Sequence, residues 1–127
     1  YKYRAFISYS HKDEKWAAWL HKALETYKVP KRIVGRETFM GEIPARLMPV
    51  FRDRDELPSA TNLGDLLTQS LADSATQIVI CSPAAAQSHW VNEEILTYKR
   101  LGRSDRIFCL IVDGEPWASN KPGEENQ

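Results

Sequence analysis

The sequence has little with which to cross-link itself, hold a metal or cross a membrane. Its 127 residues include two cysteines, Cys81 and Cys109. Each lies inside an apolar run that reads as a buried strand, where a free thiol is ordinarily inert. The three histidines, His11, His21 and His89, stand apart from one another, so no metal-ligand spacing exists. No stretch approaches the roughly 18–20 apolar residues of a membrane span. No leader is read at the start of the sequence, and the cytoplasm is the expected location. Positive and negative side chains balance to a net charge of zero, which gives no global pull towards nucleic acid or an anionic membrane. The phosphate-cradling G-x-G-x-x-G and Walker A patterns and the C-x-x-C pair are absent. Ser88 and His89 are adjacent, so their side chains diverge on a helix and do not begin a Ser-His-Asp triad.

What is there is an ordinary globular composition, 43% apolar and 27% charged, in a length that fits one domain with its own core. Residues 3–9 (YRAFISY) are apolar and aromatic and predict a buried strand. A helix follows over about 13–27, with Trp16, Trp19, Leu20, Ala23, Leu24 and Tyr27 on one stripe. Ser10 and Asp13 have the spacing of a capping box. Residues 29–45, punctuated by Pro30, Gly35, Gly41 and Pro44, read as a long irregular connection. A second strand covers 47–52 (LMPVFR), with Pro49 marking an edge or a strand start. A polar loop over 52–60 leads to a helix over 62–72, capped by Thr61 or Asn62. Residues 76–81 (TQIVIC) form a third strand and 84–87 a helical turn. Residues 88–101 form a third helix with Val91, Ile95 and Tyr98 as its core stripe and Gly102 at its end. Residues 106–112 (RIFCLIV) form a fourth strand, buried by its composition, and 113–127 read as loop or tail.

Nearly continuous apolar strands alternating with helices indicate an α/β domain with a parallel sheet covered on both faces. Ligands in such sheets bind beyond the carboxyl ends of the strands, here at 10–12, 53–60 and 82–94. In the last segment Trp90 and Glu94, four apart, share a helix face beside the core stripe. The nearby helix amino terminus favours an ionised carboxylate. An indole beside a carboxylate suits a flat heterocycle and a sugar that gains positive charge as its glycosidic bond breaks. The same residues also fit an ordinary packing tryptophan and a first-turn surface glutamate, whose replacement by Ala or Gln leaves the fold intact. Lys28, Lys31, Arg32, Arg36, Arg46, Arg52 and Arg54 outnumber Glu37, Glu42 and Asp53 between residues 28 and 54. That stretch either faces phosphates or is a solvated loop; the two readings carry equal weight.

Three motifs in order carry a family resemblance. They are Phe6-Ile7-Ser8-Tyr9-Ser10, then Phe51-Arg52-Asp53-Arg54-Asp55-Glu56-Leu57-Pro58, then Ser88 through Ile95 in the pattern S-x-W-C-x-x-E-[LI]. In these the chain resembles Toll/interleukin-1 receptor (TIR) domains, the bacterial ones in particular. Val91 stands where many members have Cys, and the 29–45 connection is longer than in receptor TIR domains. The resemblance implies a flavodoxin-like three-layer sandwich around a parallel sheet, with four strands evident here and a fifth expected beyond them. It implies that Glu94 is the carboxylate needed to release nicotinamide from NAD, giving ADP-ribose or a cyclised variant. NAD+ is then substrate, and no cofactor is expected. Tyr9, Ser10 and His11 would line the mouth, with Ser10 equally readable as a helix cap only. Arg52 and Arg54 would meet the pyrophosphate or pair with Asp53, Asp55 or Glu56. Trp90 would contact the base, and Leu63 is core or a second base contact. The loop of Asp53, Asp55, Glu56, Leu57 and Pro58 would make contacts between TIR domains. Self-association, a fused sensor or repeat module and a role in antiphage defence or virulence are implied with it. The alternative is a TIR module that assembles without catalysis; Glu94 favours the enzyme. A phosphoacceptor receiver domain is rejected, because Tyr9 and Cys81 stand where it needs acids.

Overall fold

A computed structural model describes residues 1–39, 41–52 and 64–113 of the chain. The aromatic run near the start extends as β1 (Tyr3–Ser8). Successive side chains of a strand point to opposite faces, so Ala5 and Ile7 pack on one side and Phe6 on the other. β1 lies between β4 (Val50–Phe51) and β5 (Ser74–Cys81), and β6 (Ile107–Ile111) lies beyond β5. All three pairings are parallel, with Phe6 opposite Phe51, Ser8 opposite Val79 and Val79 opposite Cys109. Flanked by helices, this sheet is the α/β architecture that the sequence pattern predicts and the flavodoxin-like sandwich that the family resemblance implies.

α1 (Glu14–Thr26) covers one face. Ala17 is wholly buried there, and Trp16, Leu20 and Leu24 pack against Ile7, Val50 and Ile80. Trp19, Ala23 and Tyr27, expected on the same stripe, are exposed. They form a parallel row that rides outside the 16–20–24 ridge. The other face is covered by α2 (Asp65–Ala72), the short α3 (Pro83–Ala86) and α4 (His89–Arg100). There Phe6 stacks on Phe51 with ring centroids 5.1 Å apart, above Leu67, Leu71 and Tyr98. Val79, Ala85 and Val91 form a neighbouring cluster.

Several boundaries move for physical reasons. The second strand is only two residues long and begins after Pro49, which has no N–H to give a ladder. The third begins at Ser74, two residues earlier than its apolar run, because Tyr3 already pairs with Ser74. The irregular connection contains a hairpin, β2 (Glu37–Thr38) and β3 (Gly41–Glu42). Gly35 and Gly41 turn it with φ of +86° and +103°, a region that favours glycine. Ser10 and Asp13 form no reciprocal box: Ser10 Oγ accepts from the Lys12 N–H, while Asp13 accepts from Ser82. α2 begins at Asp65 after Gly64, without a side-chain cap; Thr61 and Asn62 lie outside the described residues. β6 is an edge strand among the described residues, so Phe108, Cys109 and Ile111 are exposed rather than buried.

Tyr98 fastens the far end of α4. It is fully buried, and its hydroxyl donates to the Ser74 carbonyl at 2.9 Å. Arg103 donates to the same carbonyl and to Ala72 at the end of α2, satisfying a helix terminus with a cation. Tyr98→Phe is expected to cost about 1 kcal/mol, the net worth of one hydrogen bond. Tyr98→Ala is expected to cost roughly 3–5 kcal/mol through the cavity it leaves. Urea unfolding of both variants measures the difference.

Candidate functional site

The strand ends converge as the topology requires. Tyr9, next after β1, puts its ring into the core on the α1 side, so it does not line an open mouth. Its hydroxyl donates to the Arg52 carbonyl at 3.5 Å, joining the ends of β1 and β4. Ser10 is buried and caps the turn His11–Asp13, as in the cap reading; His11 opens that turn and is exposed. The Ser82 hydroxyl donates to Asp13 and accepts from the Ala85 N–H at 3.0 Å. One side chain thus ties the start of α1 to the start of α3. A cavity of about 220 Å³ opens here, lined by Asp13, Trp16, Ser82 and Asp113 among others.

Arg52, expected at a pyrophosphate or at the acids that follow it, turns towards α1 instead. Its Nη1 pairs with Glu14, and its Nε donates to His21 Nδ1 at 2.9 Å. His21 Nε2 lies 3.1 Å from Glu25 Oε2, and that oxygen accepts from the Val50 N–H at 2.8 Å. A continuous polar chain therefore runs along α1 and holds Val50, the first residue of β4, and Arg52, the residue after it. An Nδ1 that accepts from Arg52 leaves Nε2 to donate to Glu25. Nothing in the sequence spacing singles out His21 or Glu25; their four-residue separation on a helix is the one available signal. Arg54, Asp53, Asp55, Glu56, Leu57, Pro58 and Leu63 lie outside the described residues.

Glu94 is the largest departure from expectation. It is not a surface glutamate of the first turn: its exposure is 0%, and it sits between Val91 and Tyr98 on the inward stripe of α4. Ile95, expected in that stripe, packs only partly buried beside it. The spacing 91–94–98 carried this information, since i, i+3 and i+7 share one helix face. Two further buried polar side chains, Ser8 and Gln77, lie on the same face of the sheet. They bond to each other, Gln77 Nε2 to Ser8 Oγ, at 2.8 Å. Their signal in the sequence is a polar residue at an inward position of an otherwise apolar strand. Trp90 is half-buried near the start of α4 and meets His89 edge-on, with ring centroids 5.4 Å apart. Ser88 caps α4 by accepting from the Val91 N–H at 3.2 Å.

The three described cavities are lined by residues other than Glu94. The largest, about 480 Å³ and mostly apolar, lies under the β2–β3 hairpin at the amino ends of the strands, away from the carboxyl ends where this architecture places its ligands. Among the described residues no group of His, Cys, Asp and Glu is placed to hold a metal. Cys81 is a poor nucleophile: burial and the neighbouring Cys109 thiol push it up to about 11, so it is protonated at neutral pH. Among the described carboxylates, Glu94 is the one that is wholly buried.

Comparison with known proteins gives the family. A family model described as TIR domain matches residues 5–125, and the chain belongs to the TIR family. A curated relative from Actinoplanes sp., named NAD(+) hydrolase ApTIR, is 31% identical over 115 residues. The match covers 90% of this chain and 14% of the relative, so the chain spans about one seventh of that protein's length. Among solved structures, the TIR domains of the activated Roq1 resistosome directly recognizing the pathogen effector XopQ share the fold, with a TM-score of 0.54 and 17% identity. That match covers 98% of this chain and 66% of the other.

The α1–β4 chain makes stability depend on acid. Glu25 is held below the usual glutamate value of 4.5, first by the Val50 N–H it accepts, with His21 adding to the effect and partial burial opposing it. A carboxylate whose pKa falls on folding stabilises the fold above its unfolded value and loses that contribution as pH drops through the folded value. Glu25→Gln is expected to flatten the pH dependence of the urea midpoint below about 4.5. An identical slope in wild type and variant contradicts the assignment.

Proposed function

We propose that this TIR domain cleaves the nicotinamide–ribose bond of NAD+, with Glu94 as the essential carboxylate. The observation that carries the reading is a wholly buried glutamate on α4, the second helix after β5, in a chain 31% identical to a protein named NAD(+) hydrolase. Removing a carboxylate from water is costly, and a buried acid at an inward helix position calls for a use that repays that cost. In a dry setting its field is poorly screened and falls fully on a positive charge that forms nearby.

The chemistry uses that field. The bond from ribose C1′ to the pyridinium nitrogen breaks, and its electron pair leaves with neutral nicotinamide. Positive charge moves to the ribose ring, where Glu94 stabilises it and accepts from ribose hydroxyls. Water then adds to C1′ and loses a proton, giving ADP-ribose; attack by an adenine nitrogen of the same molecule gives a cyclic product. Trp90 supplies a flat face for a base. Ser10 and His11 border the site from the end of β1, and Tyr9 holds the Arg52 backbone beside it. Arg54 is assigned to the pyrophosphate, and the segment from Asp53 to Pro58 to contacts between copies. Activity on self-assembly, a sensing or repeat module elsewhere in the whole protein, a cytoplasmic setting and a bacterial defence role complete the proposal.

A second reading, an assembly module without catalysis, draws on two observations. Glu94 lines none of the described cavities, and the Arg52 guanidinium is engaged by α1. Nicotinamide release by the whole protein, concentrated or assembled, separates the two. Wild type is expected to turn over NAD+. Glu94→Gln, which keeps the buried shape, is expected to lose roughly a hundredfold or more in turnover with little change in melting temperature. Glu94→Ala leaves a void as well and is expected to lower stability by roughly 1–3 kcal/mol. No release by assembled wild type establishes the second reading; full release by folded Glu94→Gln removes Glu94 from the mechanism.

A further inference from the structure

The basic stretch between α1 and β4 builds a concave site of its own. Its outgoing arm, residues 28–36, and its returning arm, residues 43–46, run side by side. Val29 N–H donates to Ala45 at 3.1 Å, Gly35 N–H to Ile43 at 2.7 Å, and Ile43 N–H to Arg36 at 2.8 Å. Lys28 and Arg46 face each other across an antiparallel bridge. The arms enclose a concavity of about 400 Å³ lined by Lys28, Val29, Lys31, Val34, Ala45 and Arg46. Three of those six residues are cationic and none is acidic.

Among the described residues the charges in this concavity have no acidic partner: no carboxylate pairs with Lys28, Lys31 or Arg46. Like charges directly opposite on paired strands repel, and here the chain brings Lys28 and Arg46 together and adds Lys31 to the same rim. The acids of this connection, Glu37 and Glu42, oppose each other in the β2–β3 hairpin and line no part of the concavity. Lys28 follows the carboxyl end of α1, where a cation is favoured; Lys31 and Arg46 lie beyond the last turn and gain nothing from it. All three are exposed, so their heads are available to a ligand. The site is at the amino edge of the sheet, whereas α4 starts at the carboxyl end of β5, so it is separate from the Glu94 region.

We propose that Lys28, Lys31 and Arg46 form a binding site for a compact, multiply charged phosphate. Three converging cations match a chain of phosphoryl groups or clustered phosphomonoesters, and Val29, Val34 and Ala45 supply an apolar floor. The same chemistry is carried by free polyphosphates and nucleotides and by phosphorylated inositol headgroups.

Titration calorimetry of the whole protein with inorganic tripolyphosphate tests the site. Binding is expected, weakening as salt screens it. The triple variant Lys28→Gln, Lys31→Gln, Arg46→Gln is expected to lose about tenfold or more in affinity, the effect of removing charge-assisted hydrogen bonds. A matched triple at Lys2, Lys99 and Arg100 removes the same charge elsewhere and is expected to lose less than about twofold. Unchanged circular dichroism shows that both triples fold. Vesicles of phosphatidylcholine doped with a bisphosphorylated inositol lipid identify the source. Capture abolished by the site triple makes the headgroup a ligand, and soluble binding without capture makes the ligand a free phosphate. No binding up to about 1 mM, equal loss in the two triples, or vesicle capture that survives the site triple overturns the proposal.

Discussion

Phe6 and Ile7 are neighbours in β1, and each is covered by a different layer of the protein, Phe6 by the α2 and α4 side and Ile7 by α1. A parallel strand buried on both faces is the constraint that the remaining elements satisfy. β4 and β5 complete its hydrogen bonds, and the helices remove its two faces from water. Because β1 lies between strands that lead away in opposite directions, its carboxyl end is where loops from both sides meet. Tyr9, Ser10 and the start of α1 are placed there by that topology, together with Arg52 and Ser82.

The same constraint explains the polar fastenings. β4 has two residues in the sheet, too few to fix an edge by backbone pairing alone. The polar chain Glu14–Arg52–His21–Glu25–Val50 supplies what the ladder lacks, using side chains of the helix that already covers that edge. Asp13 and Ser82 do the corresponding work between the starts of α1 and α3. These contacts use charged and hydroxyl groups that otherwise look like candidates for a ligand. Arg52 is the clearest case, since α1 holds its guanidinium.

Glu94 stands apart from these fastenings because it lies inside the layer that should be apolar. Val91 before it and Tyr98 after it are core residues by type as well as by position. A leucine at 94 would continue the stripe without the cost of desolvating a carboxylate. The proposed chemistry gives a reason for the glutamate: a negative charge kept out of water acts strongly on a sugar cation. The Gln77–Ser8 pair on the same sheet face makes that inner layer polar where packing alone asks for hydrocarbon.

The sequence by itself determined the layer architecture. Alternating strand and helix periods, read from residues such as Phe6, Ile7, Leu67, Ile80 and Val91, specify a two-faced parallel sheet because burial on both faces requires apolar residues of those periods. It also marked Trp90 and Glu94 and the basic stretch, since residue type and spacing are local facts. Only the tertiary structure decided that Trp19 is exposed, that Arg52 belongs to α1, and that Cys109 is exposed on a strand that is at the edge among the described residues. Each of these depends on which element lies opposite, and distances between residues remote in the chain have no local signature. The meeting of Lys28 with Arg46 is of that kind: the sequence showed two cations eighteen residues apart, and the fold set them face to face.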